Sequence, residues 1–326
     1  MVDVPASNPL PHQDTSSGFD PIPFVSVIIP VYQDRERLEI CLDHLGRQSY
    51  PENRYEVIVA DNGSDNYDSI EALVEQYDNV RIVQELSPGS YAARNKGIEA
   101  AQGEILAFTD ADCQPSPTWI EMGVKHLVNN PDCGAVGGRI EMFYANPENV
   151  TIPDLFDRVI FGFPYQEMLE GYGGMITANL FTRRAVIDDI GPFLARIKSF
   201  GDQEWGMRVR AAGYGQIYAD DAWVGHPVRG SVAGIARKKI RCSGGVYDLY
   251  VREETSWFVR YRRLARLIFE ELFIQSPPQL VTAFTDPRLA PLTTRLQIAG
   301  MVVMMQGLSA WEKLRLNFVG GSAERL

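Results

Sequence analysis

The chain has 326 residues, enough for one large domain or for a domain with a sizeable appendage. Its 45% hydrophobic and 22% charged residues are ordinary for a globular protein, and no apolar run reaches the 18 residues expected of a membrane-spanning helix. The net charge of −11 is uneven: residues 1–224 carry a net −18, and residues 225–270 a net +6. This pattern argues against nucleic-acid binding by the acidic part, and the basic segment suits phosphate or an anionic membrane surface.

Residues 1–23 contain five prolines and lack the basic and apolar stretches of a signal peptide. This composition predicts that residues 1–23 form a flexible arm. The four cysteines have no C-x-x-C spacing, which favours a reducing compartment over a disulfide framework or a zinc site. We therefore expect a cytoplasmic protein.

Strands and helices alternate through the first 112 residues. Short apolar, β-branched runs predict four strands, at residues 24–30, 55–60, 80–84 and 104–109. Helices are predicted after Asp34, near residues 69–77 and over residues 91–101. The spacing predicts an α/β fold with a mostly parallel central sheet, helices on both faces, and a ligand at the edge where the strands end.

The fourth strand runs directly into Asp110 and Asp112. Alternation along an extended chain places side chains i and i+2 on the same side, so both carboxylates can face one point. Two anions held so close repel each other unless a cation lies between them, and oxygen ligands suit Mg²⁺ or Mn²⁺. The pair therefore predicts a divalent metal site rather than a solvated turn.

Glycine-rich nucleotide motifs do not follow the first strand. Neither G-x-G-x-x-G nor G-x-x-x-x-G-K-[ST] occurs there, which argues against a dinucleotide-binding or P-loop protein. A sugar nucleotidyltransferase would need a basic, glycine-rich loop, whereas residues 31–35 read Val-Tyr-Gln-Asp-Arg.

Six segments in this order resemble the family 2 glycosyltransferases of the GT-A fold, over about residues 24–230. They are VSVIIPVY (25–32), VIVADNGS (57–64), ARNKG (93–97), FTDAD (108–112), Ala178-Asn179 with Arg183-Arg184, and GDQEW (201–205) with Arg208. The resemblance implies a Rossmann-like GT-A domain and transfer of a sugar from a nucleotide-diphosphate sugar to an acceptor hydroxyl, with inversion.

The resemblance assigns nucleotide-sugar binding to residues at the strand ends: Pro30, Tyr32, Asp61, Gly63, Arg94, Asp110 and Ala111. Asp61 corresponds to the aspartate that hydrogen-bonds the nucleotide base, although Asp61-Asn-Gly-Ser also suits a simple turn. Asp112 corresponds to the metal ligand that bridges to the diphosphate, and Arg94 suits phosphate or base recognition.

Asp202 is the expected general base. It corresponds to the second acid of the family's Glu-Asp pair, with Gly201 where the glutamate usually stands, and it lies six residues before Arg208. Asp202 would remove the acceptor proton as the hydroxyl attacks. It also suits the start of a helix over residues 203–212, a role compatible with catalysis.

Four further positions and one segment extend the expected site. His226 is a candidate second metal or diphosphate ligand, or else a hydrogen-bonded core residue. Candidate acceptor or phosphate contacts are Asn179, Trp205 and Arg229. The aromatic-rich residues 151–174 are expected to shape the acceptor site.

The C-terminal third, residues 231–326, predicts helices at 235–241 and 257–274. In the second helix Trp257, Tyr261, Leu264, Ile268 and Leu272 share a face, with arginines away from its centre. Such a helix either lies in a membrane interface or packs on the catalytic domain or a second subunit. The apolar residues 296–308 can pair with it, which gives a helical cap or a homodimer contact.

Together these features predict a flexible arm (1–23), a catalytic domain (24–230) with a nucleotide-binding half (24–112) and an acceptor-binding half (113–230), and a helical region (231–326). The expected enzyme is a metal-dependent glycosyltransferase using Mn²⁺ or Mg²⁺. Its acceptor is a glycan, a lipid-linked sugar or another hydroxyl, in polysaccharide, glycolipid or glycoconjugate synthesis, with a peripheral position at the inner face of the membrane. The alternatives are a catalytically silent nucleotide- or glycan-binding relative and, less favoured, a nucleotidyltransferase.

Overall fold

The computed structural model describes residues 22–322, so the arm expected over residues 1–23 lies almost wholly outside the described part. A mixed eight-stranded sheet forms the centre, in the order β3-β2-β1-β4-β7-β6-β8-β5. Its strands are β1 (Val25–Val31), β2 (Tyr55–Asp61), β3 (Val80–Gln84), β4 (Ile105–Thr109), β5 (Gln114–Pro115), β6 (Cys133–Phe143), β7 (Asn179–Arg183) and β8 (Gly215–Pro227).

Helices cover both faces of this sheet. Those before residue 230 are α1 (Arg35–Leu45), α2 (Tyr67–Val74), α3 (Ser90–Ala100), α4 (Trp119–Asn129), α5 (Ile152–Phe156), α6 (Tyr165–Tyr172), α7 (Arg184–Ile190) and α8 (Gly201–Ala211). Strand β1 is buried from both sides: Val27 and Ile29 pack into the core beneath α1, α2 and α4, and Ile28 packs into the core beneath α3 and α8. The apolar runs of the sequence reflect this two-sided burial.

The four strands predicted from the sequence form the parallel half of the sheet. β1 lies between β2 and β4, with Ile28 in register with Ile58 on one side and with Phe108 on the other. The second half is mixed, because β7 runs antiparallel to both β4 and β6, while β6 and β8 are parallel. β1, β2 and β4 all end at one edge, so Asp61, Asp110 and the loop after Val31 follow neighbouring strands.

The chain after β8 is helical: α9 (Val232–Tyr250), α10 (Trp257–Phe269), α11 (Ser276–Thr285) and α12 (Leu292–Phe318). A π-helical segment, Glu270–Gln275, joins α10 to α11. Glu271 of this segment is buried between Lys239 of α9, 2.6 Å away, and Lys313 of α12. This buried ion network therefore ties three helical segments together.

The α10 face predicted from the sequence is not buried as a whole. Leu264 is buried, but Trp257 is 72% exposed and Tyr261 is 43% exposed. No described element covers the first turn of this face, which leaves a second subunit or a membrane interface as its expected partner. Within residues 22–322, no helix combines the length and the apolar character needed to cross a bilayer.

Candidate active site

Asp110 and Asp112 open onto a cavity of about 620 Å³ at the edge where β1 and β4 end. Eight residues singled out in the sequence line this cavity: Pro30, Tyr32, Arg94, Asp110, Ala111, Asp112, His226 and Arg229. They come from four separate stretches of the chain, at residues 30–32, 94, 110–112 and 226–229. The fold therefore brings most of the expected donor and metal residues to one place.

Arg94 holds Asp110 in the cavity wall. Arg94 lies on α3 with 3% of its surface exposed, and its guanidinium pairs with the Asp110 carboxylate. The ring of Tyr91, one turn earlier, lies 5.6 Å from the guanidinium carbon. Because Arg94 is almost fully desolvated, its pairing with Asp110 fixes that carboxylate more firmly than a surface ion pair would.

The side chains of Asp112 and His226 lie close together at the cavity. The Nδ1 of His226 lies 2.8 Å from the Pro227 carbonyl oxygen. A carbonyl oxygen only accepts, so Nδ1 carries the proton and Nε2 presents its lone pair. Nε2 lies 3.8 Å from a carboxylate oxygen of Asp112, and burial lowers the pKa of His226, which favours the neutral ring. Two acceptor atoms aimed at one point fit a divalent cation.

Cys113 is the third member of this group. Its Sγ and the ligand atoms of Asp112 and His226 all lie within 4.8 Å of one another. Burial, together with the nearby aspartates, raises the pKa of the Cys113 thiol well above its ordinary value. A protonated thiol is a poor ligand, so the carboxylate and the imidazole are the better pair.

Asp202 stands one layer behind the cavity wall, in the first turn of α8. Its carboxylate accepts hydrogen bonds from the Tyr91 hydroxyl (2.8 Å) and the Thr177 backbone N–H (3.1 Å). Thr177 lines the cavity, whereas Asp202 is not among the lining residues. Burial and the Asp202 charge raise the pKa of Tyr91 well above its ordinary value, so the phenol keeps its proton and donates. Asp202 is thus held in one orientation beside the cavity.

Asp61 and Gly63 hold the turn after β2. Asp61 is fully buried, and its carboxylate accepts hydrogen bonds from the backbone N–H groups of Gly63 (2.9 Å) and Ser64 (3.1 Å). Gly63 adopts φ +72°, a conformation that favours glycine. Asn62, between them, lines the cavity instead. In this structure Asp61 does not line the cavity. It holds the turn that places Asn62 in the cavity wall.

Asn179 and Trp205, which were expected to contact the acceptor or a phosphate, do not line the cavity. Both are fully buried. The Asn179 side chain accepts from the Trp119 indole and donates to the carbonyl oxygens of Arg139 and Ala222. The Trp205 indole N–H donates to the Gly191 carbonyl oxygen. Their polar atoms are engaged away from the cavity, so both residues serve packing.

Four basic residues, Arg229, Arg237, Lys238 and Arg241, also line the cavity, and we call them the basic wall. Arg229 pairs with Asp157 at 3.2 Å. Within the described residues, no carboxylate forms an ion pair with the other three members. The Lys238 ammonium lies 4.7 Å from the ring centroid of Phe161 and 4.5 Å from that of Phe163. Burial and the charge of Arg229 lower the pKa of Lys238 to about 8.

Sequence reasoning assigned no role in the cavity to Arg237, Lys238 and Arg241, although it noted the basic character of their helix. A signal was present, since positions 234, 237, 238 and 241 follow the i, i+3, i+4, i+7 spacing of one helix face. The sequence could not show that this face turns toward the catalytic edge. Phe161 and Phe163, from the aromatic segment expected near the acceptor, contact Lys238.

Comparison with known proteins gives a consistent result. The model of the family described as "Glycosyl transferase family 2" matches residues 26–191. Glycosyltransferase AglE of Haloferax volcanii is 36% identical over 268 residues, which cover 80% of this chain and 84% of AglE. The glucosyl-dolichyl phosphate glucuronosyltransferase of the same organism is 28% identical over 154 residues, which cover 45% of this chain and 48% of that protein.

The fold matches that of a solved mannosyltransferase. The mannosyltransferase PcManGT of Pyrobaculum calidifontis, solved in complex with GDP-Man and Mn²⁺, superposes with a TM-score of 0.60 at 18% identity. The match covers 92% of this chain and 88% of that one. At this identity the likeness concerns the fold.

Proposed function

Since this chain belongs to glycosyl transferase family 2, we propose that it transfers a sugar from a nucleoside-diphosphate sugar to an acceptor hydroxyl, with inversion at the anomeric carbon, in glycan assembly. The observation that carries the proposal is one cavity that is lined both by Asp110, Asp112 and His226 and by the basic wall. The GDP-Man and Mn²⁺ bound to the mannosyltransferase of Pyrobaculum calidifontis support this class of donor.

We assign the metal to Asp112 and His226. The two residues supply one carboxylate oxygen and one neutral ring nitrogen to this point. The remaining coordination positions of a bound cation would be open to phosphate oxygens. A bound Mn²⁺ or Mg²⁺ neutralises charge on the departing nucleoside diphosphate. Asp110, oriented by Arg94, lies beside this point and is assigned to the donor's sugar or ribose hydroxyls.

We assign proton removal to Asp202. An acceptor hydroxyl beside Thr177 would come within reach of the Asp202 carboxylate, which is already oriented by Tyr91 and by the Thr177 N–H. The hydroxyl loses its proton to that carboxylate as its oxygen bonds to the anomeric carbon and the diphosphate leaves from the opposite face. Fixed orientation of the base supports this role because proton transfer requires hydrogen-bond distance.

We assign the basic wall to phosphate binding. Arg237, Lys238 and Arg241 bring three cations into the cavity without a carboxylate partner among the described residues. Guanidinium groups suit phosphate oxygens, and partial burial strengthens the attraction. The diphosphate of the donor, or a phosphate on the acceptor, satisfies them.

A donor screen tests the activity. The purified protein is incubated with UDP-, GDP- and dTDP-sugars and Mn²⁺, and release of nucleoside diphosphate is measured. We expect release with one nucleotide class and its loss on chelation of the metal. Pyrophosphate release would instead assign a nucleotidyltransferase, and nucleotide binding without turnover, even with acceptor present, would assign a silent relative.

A second experiment tests the metal site. His226→Ala removes one acceptor atom, so we expect Mn²⁺ binding, measured by paramagnetic resonance in the presence of nucleoside diphosphate, to weaken by about 10- to 100-fold. The control is His126→Ala, since His126 lies on the surface and pairs with Asp221. Equal Mn²⁺ affinity in the two variants would remove His226 from the metal site.

A further inference from the structure

Helix α12 turns polar residues inward and apolar residues outward along its second half. Gln306, Ser309, Glu312 and Lys313 are all buried, at 4% exposure or less. Lys313 pairs with Glu271, and the Ser309 hydroxyl meets that of Ser243 on α9. On the opposite side Trp311 is 65% exposed. A helix that faces water normally has the reverse arrangement.

The outward side of α12 is uncharged along its whole length. Its exposed large apolar residues follow helical spacing, at Leu292, Leu296, Val303, Trp311 and Phe318. The other exposed positions of the helix are Thr293, Gln297, Gly300, Met304 and Gly307. With 3.6 residues per turn, these positions fall on one side of the helix. In the first half of α12 the inward side is apolar as well. Its buried residues there are Ile298, Met301, Val302 and Met305.

This apolar surface continues onto neighbouring helical segments. The Tyr261 ring of α10 lies 6.0 Å from that of Phe318, and the Phe269 ring stacks on Phe273 of the π-helical segment at 5.1 Å. Among the described residues, 17 of the 24 exposed large hydrophobic side chains lie after residue 231. Scattered exposed apolar residues are ordinary, but such a concentration marks an interaction surface. We call the exposed side of α10 and α12, with Phe273, the C-terminal apolar face.

Charge indicates what covers this face. Residues 231–326 carry 14 basic and 8 acidic side chains, whereas residues 1–230 carry 17 and 34. Helix α10 contains four arginines and no acidic residue, and its tryptophan lies at its first position. Arginines beside exposed tryptophans and aliphatic residues are typical of helices that lie in the interface of an anionic bilayer.

We propose that the C-terminal apolar face lies on a membrane surface that contains anionic lipids, with α12 parallel to the bilayer plane and the arginines of α10 at the phosphate groups. The outward side of α12 then enters the acyl boundary, and the polar network of Glu271, Lys239 and Lys313 stays within the protein. Helix α9, whose first turns form the basic wall of the cavity, packs against α12. The catalytic cavity is thereby tethered to the membrane surface.

A second copy of this chain fits the face less well. Pairing the same face would bring two α10 helices together, each with four arginines and no acidic residue. Arg263 and Arg266 pair with Glu254 and Glu270 of the flanking segments. Among the described residues, the other two arginines of α10 have no acidic partner. Like charges across an interface oppose association. An anionic bilayer supplies the opposite charge and the apolar environment at once.

Vesicle flotation tests the proposal with the full-length protein. We expect it to float with equimolar phosphatidylcholine and phosphatidylglycerol vesicles, and to stay behind with phosphatidylcholine alone at moderate salt. The double substitution Trp257→Gln/Trp311→Gln removes two exposed aromatic side chains, so the partition coefficient should fall roughly a hundredfold.

The matched control is Val128→Gln, an exposed apolar residue of α4 outside this face, which should float like the unmodified protein. Unchanged thermal unfolding of the double variant establishes that it folds. The proposal is overturned if the unmodified protein does not float, or if the double variant floats equally well. A dimer in sedimentation velocity that Trp311→Gln dissociates, without vesicle binding, would assign the face to a second copy. Nucleotide-sugar turnover is measured separately, so either proposal can fail without the other.

Discussion

At the scale of single residues, two aspartates carry different tasks because their partners differ. Asp110 pairs with a buried arginine, Arg94, which orients its carboxylate. Asp202 is bound to uncharged donors, the Tyr91 hydroxyl and the Thr177 N–H. Neutral donors fix the orientation of the Asp202 carboxylate without placing a cation beside it. The surroundings therefore suit Asp110 for positioning and Asp202 for proton transfer.

Asp202→Asn tests that difference. The amide cannot take a proton, so we expect transfer to fall by about 10²- to 10⁴-fold while nucleotide affinity stays near that of the unmodified protein. Turnover at saturating donor and the dissociation constant of the nucleoside diphosphate are the two measurements. Asp221→Asn, on the surface, is the control. Transfer near the unmodified rate in Asp202→Asn would exclude Asp202 as the base.

Lys238 gives phosphate binding a dependence on pH. Burial and Arg229 lower its pKa to about 8, so the ammonium loses its proton as the pH rises through that value. Binding of an anion favours the charged form, so affinity should be higher below pH 8 and decline above it. Calorimetric titration with pyrophosphate measures this. The Lys238→Met variant should bind pyrophosphate more weakly, and its affinity should no longer decline above pH 8. A decline that persists in the variant would assign the pH dependence to another group.

At the scale of elements, the buried network around Glu271 fixes the C-terminal helices. Burial alone would raise the pKa of Glu271, but Lys239 and Lys313 together bring it below its ordinary value. The stabilisation is thus complete above the ordinary pKa of a glutamate and is lost as the pH falls through the lowered, folded-state value.

Glu271→Gln leaves two buried lysines without a charge partner. We expect the free energy of unfolding to fall by about 3–5 kcal/mol. Denaturant unfolding followed by circular dichroism measures the loss. Glu270→Gln is the control, since Glu270 pairs with the well-exposed Arg266 and should change stability by less than about 1 kcal/mol. Equal effects in the two variants would show that the buried network contributes little.

The elements that sequence predicted well are those with local signals. Residues 55–60 are apolar and mostly β-branched apart from Glu56, and the structure gives β2 (Tyr55–Asp61). The direction of β7 could not be predicted from such a local signal, because its antiparallel pairing with β4 joins residues about 75 positions apart. Trp205 and Asn179 show the same limit at the site: a motif position predicted a contact with substrate, but long-range packing turned both side chains into the core.

At the scale of the whole molecule, the cavity joins distant parts of the chain, including the ends of β1, β4 and β8, helix α3 and the start of α9. A ligand that fills it stabilises the folded state as a whole. A nucleoside diphosphate at a hundredfold its dissociation constant contributes about 2.7 kcal/mol. The melting temperature should then rise by several degrees with the correct base and Mn²⁺. Arg237→Ala/Arg241→Ala should reduce the rise, and an equal rise in that variant would separate these arginines from the nucleotide.

Helix α3 reaches both chemical groups of the site, since Tyr91 binds Asp202 and Arg94 binds Asp110. It lies so near β1 that a methyl group on Gly97 would come within 2.5 Å of Ile28. The residues proposed for proton removal and for donor binding are therefore both held by one helix. The distance between Asp110 and Asp202 is therefore set when the chain folds, before either substrate binds. A substitution as small as Gly97→Ala would shift α3 and displace both aspartates together.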